Sequence, residues 1–294
     1  MFLRHTVLSF SLLIVVTCCT VSSAQEDIRW KLQSGETLKY EVVQKTSMET
    51  EIGKQKRSQT MQQTMDMAWV VGNVSPEGDA ALSQSIERVQ FRMKDPAVGD
   101  IAFDTQAGEE PENPLAASLA RTYQKIIGQQ FHVRMKPTGK VDNVEMPADL
   151  IKSVRESKGP LTEETLKQTM EQTSITLPSE PVVKGTSWDS VRQIDLGYGR
   201  MKNVSKMTYT GKDPSTGLAV IQMQSTITIT PKEGSPTQLS ISDSEGEGQT
   251  LFDVEKGRIV KSALDITMKM EVIRGGQSVE QIVHQNAVMQ LTSN

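Results

Sequence analysis

Cysteine is almost missing from this chain: its 294 residues hold two, Cys18 and Cys19, both within the first 24 positions. Everything after that segment therefore lacks a disulfide, a thiolate metal ligand and a cysteine nucleophile. Histidine is nearly as scarce, with only His132 and His284 beyond the first 24 residues. No G-x-S-x-G elbow, H-E-x-x-H pair or phosphate-cradling glycine loop occurs, and Gly246-Glu247-Gly248 carries no lysine after it. The motifs of nucleophilic, zinc and nucleotide chemistry are thus absent. No catalytic residue, metal ligand or cofactor is assigned. Aromatic residues make up 4% of the chain and the net charge is −4. The densest basic run, Lys54-Gln55-Lys56-Arg57, falls where a hairpin turn is expected, so nucleic acid is not an expected partner.

Long apolar runs are lacking too. Val7 to Val16 is the longest, and ten residues are too few to span a bilayer as a helix. Arg4 and His5 precede it, and Val21-Ser22-Ser23-Ala24 follows with small residues at the positions a signal peptidase reads. Residues 1–24 are expected to be a signal peptide cleaved after Ala24. The mature chain, without a transmembrane span, would then be periplasmic or extracellular. Lipidation is not expected, because Thr17 precedes Cys18 and Cys18 precedes Cys19, where a small residue is required.

What the sequence has in quantity is alternation of apolar and polar residues, which sends successive side chains to opposite faces of a sheet. Leu38, Tyr40 and Val42 make one such face, and Met65, Met67, Trp69 and Val71 another. Ala219, Ile221, Met223, Ile227 and Ile229 follow the same rule. So do Leu264, Ile266, Met268, Met270 and Val272, and finally Val279, Val283, Ala287, Met289 and Leu291. These runs of ten to thirteen residues are long where five or six is usual. Turn chemistry places hairpins at Lys136-Pro137-Thr138-Gly139-Lys140, Asp213 to Gly217, Glu255-Lys256-Gly257 and Arg274-Gly275-Gly276.

Helical signals are confined to the middle. Asn113-Pro114 is a cap followed by proline at the first helical position, with Leu115, Leu119, Tyr123 and Ile126 on one face and Gly128 as a stop. A second helix is expected from about Pro147 to Ser157, with Leu150, Ile151 and Val154 inward. A third is capped by Thr162, with Glu163 and Glu164 in its first turn and Leu161 stapled to Leu166. Asp104 to Asn113 is an acidic loop and the best internal boundary. Met67-x-Trp69 and Gly78-x-Ala80-x-Leu82 echo Met207-x-Tyr209 and Gly217-x-Ala219-x-Ile221, a hint of duplication.

The expected fold is mainly β with a helical middle, an α+β arrangement in which a long-stranded antiparallel curved sheet or half-barrel packs on two or three helices. Residues 25–294 are expected to form a single domain, with duplicated halves 25–112 and 180–294 around a helical middle 113–178.

The 15 methionines, Met1 among them, are flexible and polarizable and adapt to irregular apolar ligands; the plainer reading makes them core filler. Trp30, Trp69 and Trp188 are read as core before ligand-stacking residues. Asp243-x-Glu245-x-Glu247-Gly248 imitates the opening of an EF-hand loop, but Val254 stands at the twelfth position where a carboxylate is needed.

Trp30-x-Leu32-x-x-Gly35-Glu36-x-x-x-Tyr40, Gln63-Thr64-Met65-Asp66-Met67-x-Trp69 and Phe252-Asp253-Val254-Glu255-Lys256-Gly257-Arg258 together resemble a family of uncharacterised exported bacterial proteins of planctomycete type. Those motifs are strand starts and hairpins and imply no catalytic residue. The architecture is distantly similar to periplasmic lipoprotein carriers of the LolA type, in which a curved sheet wraps helices around an apolar cavity.

Two functions follow as expectations. The first is a non-enzymatic structural or protein-interaction module of the cell envelope, with an envelope protein as partner. The alternative is an extracytoplasmic carrier or sensor of an apolar ligand such as a lipid or acyl chain. Its candidate lining residues are Met65, Met67, Trp69, Met223, Met268 and Met270, with Leu119 and Tyr123 from a helical lid.

Overall fold

The computed structural model describes residues 25–53, 55–156, 163, 167, 174–196 and 198–293. The leader, both cysteines and most of the third expected helix lie outside them; Glu163 and Lys167 are described, helical and ion-paired at 3.2 Å.

Twelve strands form one antiparallel sheet that is not closed into a barrel. In chain order they are β1 (Thr37–Ile52), β2 (Gln55–Val74), β3 (Ala80–Asp95), β4 (Gly99–Asp104), β5 (Phe131–Met135), β6 (Val141–Glu145), β7 (Ser187–Leu196), β8 (Gly199–Lys212), β9 (Ala219–Pro231), β10 (Thr237–Asp253), β11 (Arg258–Arg274) and β12 (Gln277–Ser293). Their spatial order is β6-β5-β3-β2-β1-β12-β11-β10-β9-β8-β7, with β4 beside the distal part of β3. Several strands run longer than the alternation suggested, up to 20 residues in β2, because polar–polar pairs such as Gln44–Gln63 continue the ladder between apolar stretches.

The expected helical middle is the main correction. Two short helices are described, α1 (Pro114–Gln124) and α2 (Ala148–Glu156), and the β5–β6 hairpin lies between them. The cap is as read: Asn113 Oδ1 accepts from the Leu115 and Ala116 amides at 2.9 and 3.2 Å. The inward face differs at its start. Leu115 is exposed, and Ala116, Leu119, Ala120 and Tyr123 pack on Val89, Phe91, Ile101 and Phe103. Leu119 and Tyr123 thus keep the expected face, and Ala116 takes the place at its start that was expected of Leu115. In α2, Leu150 is buried as expected and Ile151 half-buried; the Val154 side chain lies outside the described residues.

What fills the sheet is mainly irregular chain, not helix. The segment 25–36 brings Ile28, Trp30 and Leu32 into a core with Leu38, Tyr40, Trp69, Leu82, Phe131, Ile221, Phe252 and Ile259. At about 4.8 Å per strand, β2 and β10 would stand roughly 19 Å apart on a flat sheet. Yet the Trp30 ring lies 5.8 Å, centroid to centroid, from both Trp69 on β2 and Phe252 on β10. The face that carries these residues is therefore concave, and Trp30 plugs one end of it.

Close backbone contacts hold the plug. The Trp30 amide donates to the Pro137 carbonyl at 2.8 Å and the Lys31 amide to the Gly257 carbonyl at 3.0 Å. Gly139 (φ +78°) leaves room for the Ile175 carbonyl, which a Cβ there would approach to 2.2 Å. A buried ion pair, Arg258 to Glu36 at 2.8 Å, latches β11 to the start of β1. Two corners of the sheet are built alike: Gly35 and Glu36 exchange backbone hydrogen bonds with Val71, and Gly185 and Thr186 do so with Tyr209.

Candidate functional site

The side-chain period of two puts the predicted lining residues on one surface. Leu38, Tyr40 and Val42 of β1 stand opposite Trp69, Met67 and Met65 of β2. On β11, Met268 and Met270 stand opposite Val283 and Gln281 of β12, while Met223 on β9 faces Gly248 on β10. All six residues share the concave face, but they do not form one tight cluster. Trp69 is 1% exposed and belongs to the plugged core, so it offers no free surface. Met223 packs against that same core. Met65, Leu119 and Tyr123 meet in a second core beneath α1, where the Tyr123 hydroxyl donates to Gln63 Oε1 at 3.4 Å. Burial pushes the Tyr123 hydroxyl above its ordinary pKa. Met67 is half-buried between the two.

Met268 and Met270 lie farther from the plug. There a row runs across the concave face through Gln59, Met48, Val283, Met268, Ser244, Ile227, Asn203 and Arg192. The β9–β10 backbone ladder is registered only from Gly246–Ser225 toward the plug, and next to it Ser244 Oγ serves both backbone groups of Ile227, at 2.7 and 2.8 Å. Met48, Met201, Ile229, Leu239, Ile241, Met268, Met270, Val272 and Val279 are all half-buried rather than sealed. An apolar face left partly open in this way is unusual for a packed core.

One functional candidate escaped the sequence reading. Arg192 sits on the concave face of β7, opposite Asn203, and its Nη2 donates to the Ser174 carbonyl at 2.6 Å. Burial lowers the pKa of its guanidinium from the ordinary value. Beside it Ser190, Ser205 and Ser225 are buried, and Ser205 Oγ lies 2.7 Å from Ser225 Oγ. The alternation Trp188, Ser190, Arg192, Ile194 would have placed Arg192 inward, but its charge hid the pattern.

The other face is polar. His132 pairs with Ser83 (Nδ1 to Oγ, 2.7 Å) and His284 with Thr267 (Nδ1 to Oγ1, 2.9 Å), both exposed and on strands separated by three others. Asp243, Glu245 and Glu247 are exposed on β10, a strand rather than a calcium loop. Among the described residues no group of three or more His, Cys, Asp or Glu side chains is placed to hold a metal ion. A groove of about 550 Å³ on this face is bordered by Lys45, Gln62, Arg92, Lys94, Asp265 and Asn286. No described helix is long and apolar enough to cross a membrane.

The geometry defines a class: a long-stranded open sheet, plugged at one end, with one concave apolar face. Residues 77–277 match Family of unknown function (DUF6263), and the chain belongs to that family. No curated protein matches it. Among solved structures it is similar to lipovitellin, in a structure concerned with lipid–protein interactions, at 8% identity and a TM-score of 0.50. That similarity covers 89% of this chain and 25% of the lipovitellin chain, so this protein spans about a quarter of that one's length. It is also similar to the crystal structure of the COG4313 outer membrane channel from Pseudomonas putida F1, at 8% identity and a TM-score of 0.27, covering 90% of this chain and 98% of that one. The likeness to lipovitellin is one of fold alone.

Proposed function

We propose that this is an exported, non-enzymatic protein of the cell envelope that holds an apolar ligand, such as a lipid or acyl chain, on the concave face of its sheet. The observation that carries this reading is the row of half-buried methionine and aliphatic side chains beyond the plug, with Met268 and Met270 at its centre. Burying apolar surface is worth about 25 cal/mol per Å², so a face of this kind is a ready acceptor for a hydrocarbon chain. Methionine suits the role because its thioether follows ligands of varied shape. The likeness of this sheet to that of lipovitellin lends support at the level of fold alone.

Within this reading Met268, Met270 and Met67 touch ligand, Met65 and Met223 shape the borders, and α1 with Leu119 and Tyr123 forms a side wall. Trp69 serves the plug. The leader read at residues 1–24 supplies the route out of the cytoplasm. The two histidines, each engaged with a hydroxyl on the polar face, give no reason to add a reaction.

The test is gentle purification after export, followed by native mass measurement and lipid extraction. A stoichiometric lipid adduct is expected, lost when Met268 and Met270 are both changed to Gln while the fold persists. A clean apo mass, unchanged after incubation with lipid vesicles, would instead leave the protein as a structural or interaction module.

A further inference from the structure

We infer that the ligand is a single-chain amphiphile with an anionic head, bound at Arg192, its tail running along the concave face toward Met268. The inference rests on the carrier reading above and names its ligand class. Arginine in this protein is usually paired: Arg57, Arg88, Arg121, Arg200 and Arg258 each form an ion pair with Asp or Glu. Arg192 is half-buried on an otherwise uncharged stretch of the concave face, and among the described residues no carboxylate pairs with it. A guanidinium keeps its charge and carries five N–H donors, of which, among the described residues, the Ser174 carbonyl takes one. A cation so placed is expensive without a counter-charge, and its planar fork matches the oxygens of a carboxylate or phosphate.

The surroundings supply the rest of an anion's ligands. Asn203, across the ladder from Arg192, accepts from Ser205 Oγ through its Oδ1 at 3.3 Å, which leaves its amide N–H groups as donors. Ser190 donates to Thr176 Oγ1 at 3.2 Å and fixes the hydroxyl shelf behind the guanidinium. From this donor set the row runs through buried Ile227 and the Ser244 hydroxyl to half-buried Met268, with buried Val283 beyond it. Four strand spacings separate Arg192 from Met268, about 19 Å measured along the sheet, within reach of an ordinary acyl tail. A charged head at one end and a hydrocarbon path leading from it describe a fatty acid or a lysophospholipid; an uncharged glyceride would bring Arg192 no counter-charge.

The full exported protein, stripped of lipid, is titrated with dodecanoate, dodecyl phosphate and dodecanol, followed by calorimetry. At least one of the two anions is expected to bind about tenfold or more tighter than the alcohol, a preference that weakens with added salt. Stronger binding of dodecanoate points to a fatty acid, stronger binding of dodecyl phosphate to a phospholipid-derived head. Arg192→Gln is expected to abolish the preference while dodecanol still binds as before, which also demonstrates that the variant is folded. Equal affinity of the wild-type protein for alcohol and both anions overturns the inference, whether or not the variant folds; so does an unchanged preference in Arg192→Gln. If none of the three compounds binds, the carrier reading itself fails.

Discussion

Replacing Gly139 with alanine tests how the plug is held. Two effects add. Gly139 has φ +78°, a left-handed conformation that disfavours any residue with a Cβ by about 1–2 kcal/mol. The new methyl group would also stand 2.2 Å from the Ile175 carbonyl oxygen, 2.9 Å from Ser174 Oγ and 2.9 Å from Trp30 Nε1. The first of these is backbone, so relief requires the 174–177 segment to move, and overpacking of this kind costs about 1–3 kcal/mol. That movement also strains the bond from the Leu177 amide to the Thr138 carbonyl, 2.8 Å long. A total near 3 kcal/mol is expected. Gly217→Ala is the control, because Gly217 has φ +72° but nothing within 4 Å of a Cβ, so it carries the conformational effect alone. Urea unfolding followed by tryptophan emission reads the plug directly, since Trp30 and Trp69 both lie in it. If Gly139→Ala shifts the midpoint no more than Gly217→Ala does, the close approach of 139 and 175 is not what seats Trp30.

Asp104 is held well below the ordinary carboxylate range, first by its hydrogen bonds to Arg88 and then by the Gln106 amide and Gln90, against a smaller opposing effect of burial. A carboxylate depressed on folding stabilises the native state above its ordinary pKa near 4, and that contribution fades as pH falls toward its folded value. Asp104→Asn is therefore expected to destabilise the protein at pH 7, with the gap to wild type narrowing below pH 4 in acid titrations followed by circular dichroism. Phe252→Ala is expected to cost about 3–5 kcal/mol in urea unfolding, because Phe252 is fully buried and meets Trp30 edge-on. Asn113→Ala removes both cap bonds of α1 and is expected to cost about 1 kcal/mol, read as faster amide hydrogen exchange over 114–124 with the β11 amides unaffected.

The strands were the readable part of this protein. Leu264 to Val272 alternates without a break, and it is the inner face of β11; the hairpins at Gly139, Gly217 and Gly257 announced themselves by turn chemistry. The plug was not readable. Ile28, Trp30 and Leu32 alternate for only five residues, and their burial depends on Pro137 and Gly257, more than a hundred residues away. The face of α1 was legible except at its start: Leu119, Tyr123 and Ile126 pack inward as read, but Leu115 points out, and Ala116 and Ala117 are buried. Picking five methionines and Trp69 by periodicity placed six candidates on one face without separating those in the packed core from those in the half-open region. That distinction depends on which strands α1 and the plug happen to cover. Arg192 was missed because charge was read as exposure, although its own strand register places it inward.

One property of the sheet reaches into how the protein is made. Its first and last strands are neighbours in the middle: β1 pairs with β12 from Lys39–Ser293 to Glu51–Glu280. On either side, the remaining pairings join strands close in sequence, so each wing can zip up from local hairpins. The central seam cannot form until β12 has been synthesised. Until then both wings expose long strand edges at what will become the sheet's centre, where pairing with other chains competes. Truncating the last strand would not trim a margin; it would cut the sheet in two.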